Sequence, residues 1–387
     1  MHIGLIMYRD DAGSGGGIRV GEALAFGLTR MGIRVTLLFA YGGPGPLSRS
    51  VSTPVIYLQA NGSRDFLAWN RSRETVREAK FDVLHFIDAV LWLTVATIGL
   101  PIRKVVHIHG RPILGEKISL FGHFIGRWLR LSCDHQIAIS RGAKDWSIRL
   151  GWASPENISV VYNAIDTARF LELPRRLDAR YMLGLPNDKM LLGFVGRLVW
   201  WKGGKDFLKL LTFLPSHWHG VVVGSGPDEG KLSRLAVEMG IQQRLHFIGL
   251  LEDVRSGLAA LDAFGFFSHY EPFGLVIAEA MAARVPVFGM LGDGEYYESD
   301  YPLVTEQNST FVPRAKPLAP RVPEEQASFV CLAERLCDYE ENAVEYDAKI
   351  NTAQKWVIER FDTEVFTEQV MKIYAHVLEP GRRVASS

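Results

Sequence analysis

Short runs of apolar residues alternate along this chain with longer segments whose apolar positions recur every three or four residues. His2–Tyr8 is the first run and predicts a buried strand; Ile18–Met31, with apolar residues at helical spacing, predicts the helix that follows. Val35–Ala40, Val55–Gln59, Val83–Phe86, Val105–His109 and Gln136–Ile139 predict further strands. Continuous apolar runs with helices between them predict a parallel sheet covered on both faces. The pattern restarts near residue 190. Strands are expected at Met190–Val195, Gly220–Val223, Leu245–Ile248, Ala263–Ser268 and Val285–Phe288, and helices at Gly203–Leu214, Glu229–Met239, Val254–Ala260 and Leu275–Ala283. The chain therefore reads as α/β, with two Rossmann-like, doubly wound domains. Between them Asp166–Lys189, polar and holding Pro174 and Pro186, reads as a linker. Pro313, Pro317, Pro320 and Pro323 predict a loop, and Trp356–Leu378 one long terminal helix with its weak point near Phe361–Asp362. The domains are placed at 1–168 and 169–355, with 356–387 as the terminal helix.

Composition narrows the function. Hydrophobic residues are 48% and charged residues 22% of 387, which excludes disorder, collagen and coiled coil as whole-chain readings. Lys+Arg and Asp+Glu both number 43, so there is no basic excess for nucleic acid. Cys133, Cys331 and Cys337 are too few and too scattered for a disulfide framework or a zinc site, and reduced thiols in the cytoplasm are expected. The opening apolar run is too short for a signal peptide. The longest apolar stretch, Ala89–Ile102, falls short of the roughly 20 residues a spanning helix needs. Arg111, Lys117, Arg127 and Arg130, interleaved with Ile113, Leu114, Phe124 and Trp128, read either as a core helix with a basic face or as a helix lying on the inner face of a membrane.

Three strand-end segments could carry chemistry. In EPFGLVIAEAM (271–281), Pro272–Gly274 turn the chain into a helix near Leu275, whose N-terminus suits a phosphate. Glu279, one turn in, can accept bonds from two vicinal hydroxyls, and Glu271 faces another part of the same ligand. The spacing alone fits a capped surface helix with two solvated glutamates equally well. In FVGRLVWWKGG (194–204), Arg197 and Lys202 lie where open parallel sheets bind ligands. Two cations there can hold a diphosphate, each contact worth on the order of a few kcal/mol before desolvation. A solvated loop is the alternative. Gly13–Gly17 follows the first strand, but Ile18 stands at the third glycine position of G-x-G-x-x-G and no acidic residue follows the second strand, which argues against a dinucleotide cofactor. Gly224–Pro227 is a similar loop. His107 and His109 share a strand face, as do His217 and His219; satisfied structural histidines are the favoured reading over a metal pair. No D-x-D metal motif is present, Asp293–Glu295 being the nearest approach, and no nucleophile elbow.

Taken together, FVGRLVWWKGG, VVVGSGPDEGKL, LHFIGLL and EPFGLVIAEAMAARVPV resemble glycosyltransferase family 4, the retaining enzymes of the GT-B fold. So do the N-terminal glycine loop, His109–Gly110, CDHQIAIS, VYNAIDTARF and ERFDTEVFTEQVMKIY. The resemblance implies two facing Rossmann-like domains, with the last helix returning to the first. It implies that Arg197 and Lys202 bind the diphosphate of a UDP- or GDP-sugar and that Glu279 holds the ribose. Glu271, with Phe273, Gly274 and Leu275, would touch the donor sugar, and His109 would lie beside it. Gly16 and Gly17 would approach the diphosphate, and Gly226 and Leu251 would complete the donor site. No cofactor and no metal are implied; the acceptor would be a glycan, a lipid-linked sugar or a small molecule. Ala164 and Ala283 stand where the family often has glycine, and Gly289–Tyr301 departs from its Gly-Gly-x-x-Glu pattern. A nucleotide-sugar epimerase or hydrolase, a sugar-binding module without catalysis, and a dinucleotide oxidoreductase are the competing readings.

Overall fold

The computed structural model describes residues 1–11, 16–50, 52–109, 119–291, 303–314 and 324–379. Gly13, Gly15, Gly110, Arg111, Lys117, Asp293–Glu295, most of Gly289–Tyr301 and most of the proline loop lie outside them. The chain divides into two units, Met1–Ile165 with Phe361–Ser387, and Asp166–Arg360.

In the first unit β1 (His2–Arg9), α1 (Gly16–Arg30), β2 (Arg34–Tyr41), α2 (Pro46–Ser50), β3 (Val55–Tyr57), α3 (Phe66–Ala79) and β4 (Val83–Phe86) come first. They are followed by α4 (Leu91–Ala96), β5 (Arg103–Ile108), α5 (Leu120–Ser132), β6 (His135–Ala138), α6 (Arg141–Arg149) and β7 (Ile158–Val160). The seven strands form a sheet of order β3-β2-β1-β4-β5-β6-β7, every pair parallel. Its central strands are buried on both faces, as their unbroken apolar runs require.

The second unit runs α7 (Arg176–Leu183), β8 (Met190–Val195), α8 (Gly204–Phe213), β9 (Trp218–Val223), α9 (Glu229–Glu238), β10 (Leu245–Gly249), α10 (Val254–Ala259) and β11 (Ala263–Phe266). Then come α11 (Leu275–Ala282), β12 (Val287–Leu291), β13 (Thr310–Pro313), α12 (Glu324–Glu341) and α13 (Ala343–Phe361). Its sheet has the order β10-β9-β8-β11-β12-β13, again all parallel. Trp218, Phe207, Phe267 and Leu332 are among the buried side chains of its core.

Two expectations need correction. Asp166–Lys189 is not a bare linker: it holds α7, and Arg180, 3% exposed, donates from Nε to the Ala260 carbonyl at 2.9 Å and pairs with Asp262 at 2.5 Å. The anchor is a charged side chain, so the segment carries no apolar signature. The terminal helix is broken where its weak point was expected, but the part before the break starts at Ala343 and not at Trp356. Asp362 interrupts it, accepts a bond from the Glu364 N–H at 2.8 Å and caps α14 (Thr363–Leu378). Helix α14 packs on α1, where a Cβ on Gly27 would lie 2.0 Å from Thr367 Oγ1.

Candidate active site

In the second unit the chain reverses its direction of winding between β8 and β11. Open parallel sheets bind ligands outside the carboxyl ends of strands at such a point. The loops leaving these two strands carry the predicted residues. They are tied to each other and to their neighbours through backbone. Gly196 N–H donates to the Val223 carbonyl at 2.9 Å, Leu198 N–H to Ser225 at 2.9 Å, and His269 N–H to Trp201 at 2.6 Å. Close approach demands glycine: a Cβ on Gly226 would lie 2.4 Å from the Leu198 carbonyl oxygen, and one on Gly203, at φ +78°, 2.0 Å from that of Phe267. Gly226 is thus required by loop packing, whatever else it touches.

This scaffold joins Lys202 to Glu271. The ammonium donates to Glu271 Oε2, and the Ser268 hydroxyl lies 3.4 Å from the same oxygen. Glu271 is 8% exposed, so the carboxylate is largely withdrawn from water and Lys202 supplies the opposite charge it needs. A lysine has three donors, so this pairing leaves capacity for a second acceptor. Arg197 is exposed on the same loop. Gly274, at φ +87°, starts α11, and no side chain caps that end. The first N–H groups of a helix have no partner within it and carry the positive end of its dipole. Phe273 is buried beneath the turn, Leu275 and Glu279 are half-buried, and Leu251 packs against Gly257.

In the first unit the corresponding reversal lies between β1 and β4. Here the strand ends carry carboxylates. Asp10 accepts from the N–H groups of Gly45, Leu47 and Ser48 at 2.8, 2.9 and 3.1 Å. Asp88 accepts from Tyr8 N–H at 2.9 Å and sits beside Gly17, whose absent Cβ would be 2.9 Å from Asp88 Oδ1. Gly16 is exposed at the start of α1. His109, half-buried beyond β5, has Nε2 2.7 Å from the Ile87 carbonyl oxygen. A carbonyl only accepts, so the proton is on Nε2. Burial lowers the pKa of this ring, against the opposing pull of Asp88 and the Ile87 carbonyl.

Both parts of the chain match known proteins. The model of the family described as Glycosyltransferase Family 4 matches residues 14–169, and that described as Glycosyl transferases group 1 matches residues 177–294. Together they span most of the chain. It belongs to the family 4 glycosyltransferases of the GT-B fold.

Among curated members, the lipopolysaccharide core biosynthesis glycosyltransferase LpsE of Rhizobium meliloti is 32% identical over 146 residues, 38% of this chain and 40% of that one. The D-inositol 3-phosphate glycosyltransferase of Mycobacterium bovis is 35% identical over 148 residues, 36% of this chain and 30% of that one. The alignments thus span well under half the length of these relatives. Among solved structures, Anabaena Alr3699/HepE in complex with UDP and glucose superposes with a TM-score of 0.80 at 20% identity, over 97% of this chain and 100% of that one.

On this family 4 scaffold the remaining candidates find ordinary partners. His107 is hydrogen-bonded to His85 at 2.9 Å, His217 to Glu340 at 2.8 Å, and His219 to His246 at 3.0 Å. Among the described residues no group of three His, Cys, Asp or Glu is placed to hold a metal. A cavity of about 620 Å³, lined by Trp200, Lys205, Asp206, Lys231 and Arg314 among others, lies beside the Lys202 loop and contains none of the predicted donor residues. Burial would raise the Asp206 carboxyl at its wall, but His269 at 3.1 Å and the Arg314 guanidinium outweigh that and hold it below the usual range. Helix α5 buries Leu129 yet exposes Leu120, Phe124 and Leu131 beside Arg127 and Arg130, so its outer face is both apolar and basic. Sequence reading missed Ser268, Asp88, Asp10 and the Asp206 cluster, because each acts through a neighbour that only the fold supplies. Among the described residues no helix is long and apolar enough to cross a membrane.

Proposed function

We propose that the protein transfers a hexose from a nucleotide sugar to an acceptor hydroxyl with retention at the anomeric carbon. One observation carries the reading: Lys202, held by a nearly buried Glu271, stands at the β8/β11 reversal on the loop system that leads into the uncapped end of α11. The reaction builds negative charge on a departing diphosphate. Fixed cations and N–H dipoles stabilise such charge without reorganising during the step. Arg197 and Lys202 would take the diphosphate and Glu279 the ribose. Glu271 and the backbone of Phe273–Leu275 would take the sugar. Arg197 and Lys202 would offset the diphosphate charge in place of a divalent cation, and the acceptor proton would pass to the leaving phosphate in place of a dedicated carboxylate base. A UDP- or GDP-sugar is the donor we infer; the structural relative bound to UDP and glucose supports the first. LpsE supports a glycan or lipid-linked acceptor, and the basic, apolar outer face of α5 suits contact with an anionic membrane surface.

The test is thermal unfolding with UDP, GDP, ADP, their sugar conjugates and NADH, each with and without EDTA, followed by product analysis with acceptor present. Stabilisation by one nucleoside diphosphate, unaffected by EDTA, is expected. Stabilisation by NADH alone would overturn the reading. Donor consumption that does not depend on any acceptor would replace it with an epimerase or hydrolase.

A further inference from the structure

The first unit holds a buried array of rings that the proposed reaction does not itself use. Strand register pairs His85 of β4 with Val105 of β5. His107, two residues on, therefore lies on the same face of the sheet, and His109 follows just past the strand end. The imidazoles of His85 and His107 stack with centroids 4.9 Å apart at 16°, and those of His107 and His109 at 5.3 Å and 26°. Helix α14 closes over this face. Tyr374 places its hydroxyl 2.5 Å from His85 Nδ1, and Phe366 stacks on His107 at 6.0 Å. His85 Nε2 is 2.9 Å from His107 Nδ1. His85, His107 and Tyr374 are at most 2% exposed.

The protons can be placed. If Tyr374 donates to His85 Nδ1, His85 donates from Nε2 to His107 Nδ1, and His107 carries its hydrogen on Nε2. That atom is buried and unpartnered, so one donor is left over. The reverse polarity strands the Tyr374 proton as well as a lone pair on His107 Nε2. Each polarity strands one buried donor, and the reverse adds an unmet acceptor on His107, so the chain runs from Tyr374 inward. Burial keeps the rings neutral: it lowers His85 to about 3 and His107 well below its ordinary value, and raises the Tyr374 phenol.

We propose that Tyr374, His85 and His107 are positioning residues, a hydrogen-bonded ring array by which the terminal helix fixes the platform under His109. All three imidazoles then carry their proton on Nε2, and His109 presents Nδ1 as an acceptor at a set place and angle. The array rests on the glycosyl-transfer reading only through His109, which the family resemblance puts beside the transferred sugar; the ring geometry stands apart from it.

The experiment is nitrogen NMR on the full chain carrying ring-15N histidine, alongside steady-state kinetics. Wild type should give Nε2–H signals for His85, His107 and His109. In Tyr374→Phe the His85 and His107 signals should move toward mixed tautomers and the His109 signals should shift, with kcat about tenfold lower and donor KM unchanged. His85→Asn, which removes the ring linking Tyr374 to His107, should repeat the effect at His109. Val370→Ala, on the same helix but outside the array, should lower stability and leave the His109 signals and kcat as in wild type. A folded Tyr374→Phe or His85→Asn protein with unchanged His109 signals would overturn the proposal, as would a Val370→Ala protein with the same His109 shifts. If no sugar is transferred by any form, the NMR arm still decides the array while the functional reading fails by itself.

Discussion

The two units share a topology and differ in what stands at their strand ends. In the second, the β8 and β11 loops present Lys202, Arg197 and a helix end that no side chain caps, with Glu271 tied to the lysine. In the first, the β1 and β4 ends present Asp10 and Asp88, both occupied by backbone N–H groups, and β5 leads into His109 beside a stack of buried imidazoles. The doubly wound sheet supplies the place and says nothing about the chemistry. Positive charge with donors to spare suits the second unit to an anion. The neutral, desolvated acceptor in the first suits hydroxyl groups. A carboxylate beside Gly17 also makes that glycine's surroundings less receptive to a diphosphate than its position after β1 suggests.

The contrast is broken most severely at Lys202. Lys202→Ala should lower kcat by roughly 10²–10³, the usual cost of losing one donor to a developing anion. It should also lower thermal stability, because Glu271 is left nearly buried without an opposite charge. Lys202→Ala combined with Glu271→Gln should recover stability and not activity. If the double variant regains activity, the cation is structural and the site lies elsewhere.

The sequence made part of this contrast legible. Met190–Val195 and Val83–Phe86 are strands with the bounds their apolar runs predict. The Arg197–Lys202 and Glu271–Glu279 motifs stood out because each begins a few residues past a strand end. Ile158–Val160 and Thr310–Pro313 were missed, since edge strands of three or four residues hold too little pattern to register. Arg180 was missed because its partner, Asp262, lies far along the chain. The ring array was hidden for the same reason: Tyr374 and His85 are 289 residues apart, and their meeting depends on strand register and on the path of α14.

A smaller effect sharpens the first unit's side of the comparison. An unfolded histidine titrates near 6.5, whereas burial lowers His85 to about 3. Between those values the unfolded chain binds the extra proton. Stability is therefore complete above about pH 6.5 and declines as pH falls toward 3, by up to ~1.4 kcal/mol per pH unit from this ring. His107 and His109 shift in the same direction. Urea unfolding at pH 7 and pH 5 should show the decline, and His85→Phe should flatten it. An unchanged slope would mean that His85 is not held neutral.

The smallest expected effect falls on Arg197, and its smallness is informative. Arg197 shares the loop with Lys202 but is exposed, and its guanidinium has no ion-pair or hydrogen-bond partner among the described residues. Exposed charges are screened, with a Debye length of about 8 Å at physiological salt, and they hold ligands in a high dielectric. Arg197→Ala should therefore weaken nucleoside diphosphate binding by roughly three- to tenfold at low salt, with a flatter salt dependence than wild type. Lys202, half-buried against Glu271, should retain more of its contribution as salt rises. Calorimetric titration at 50 and 500 mM NaCl separates the two. A loss at Arg197 as large as that at Lys202, insensitive to salt, would mean that the loop closes over the ligand and buries the guanidinium.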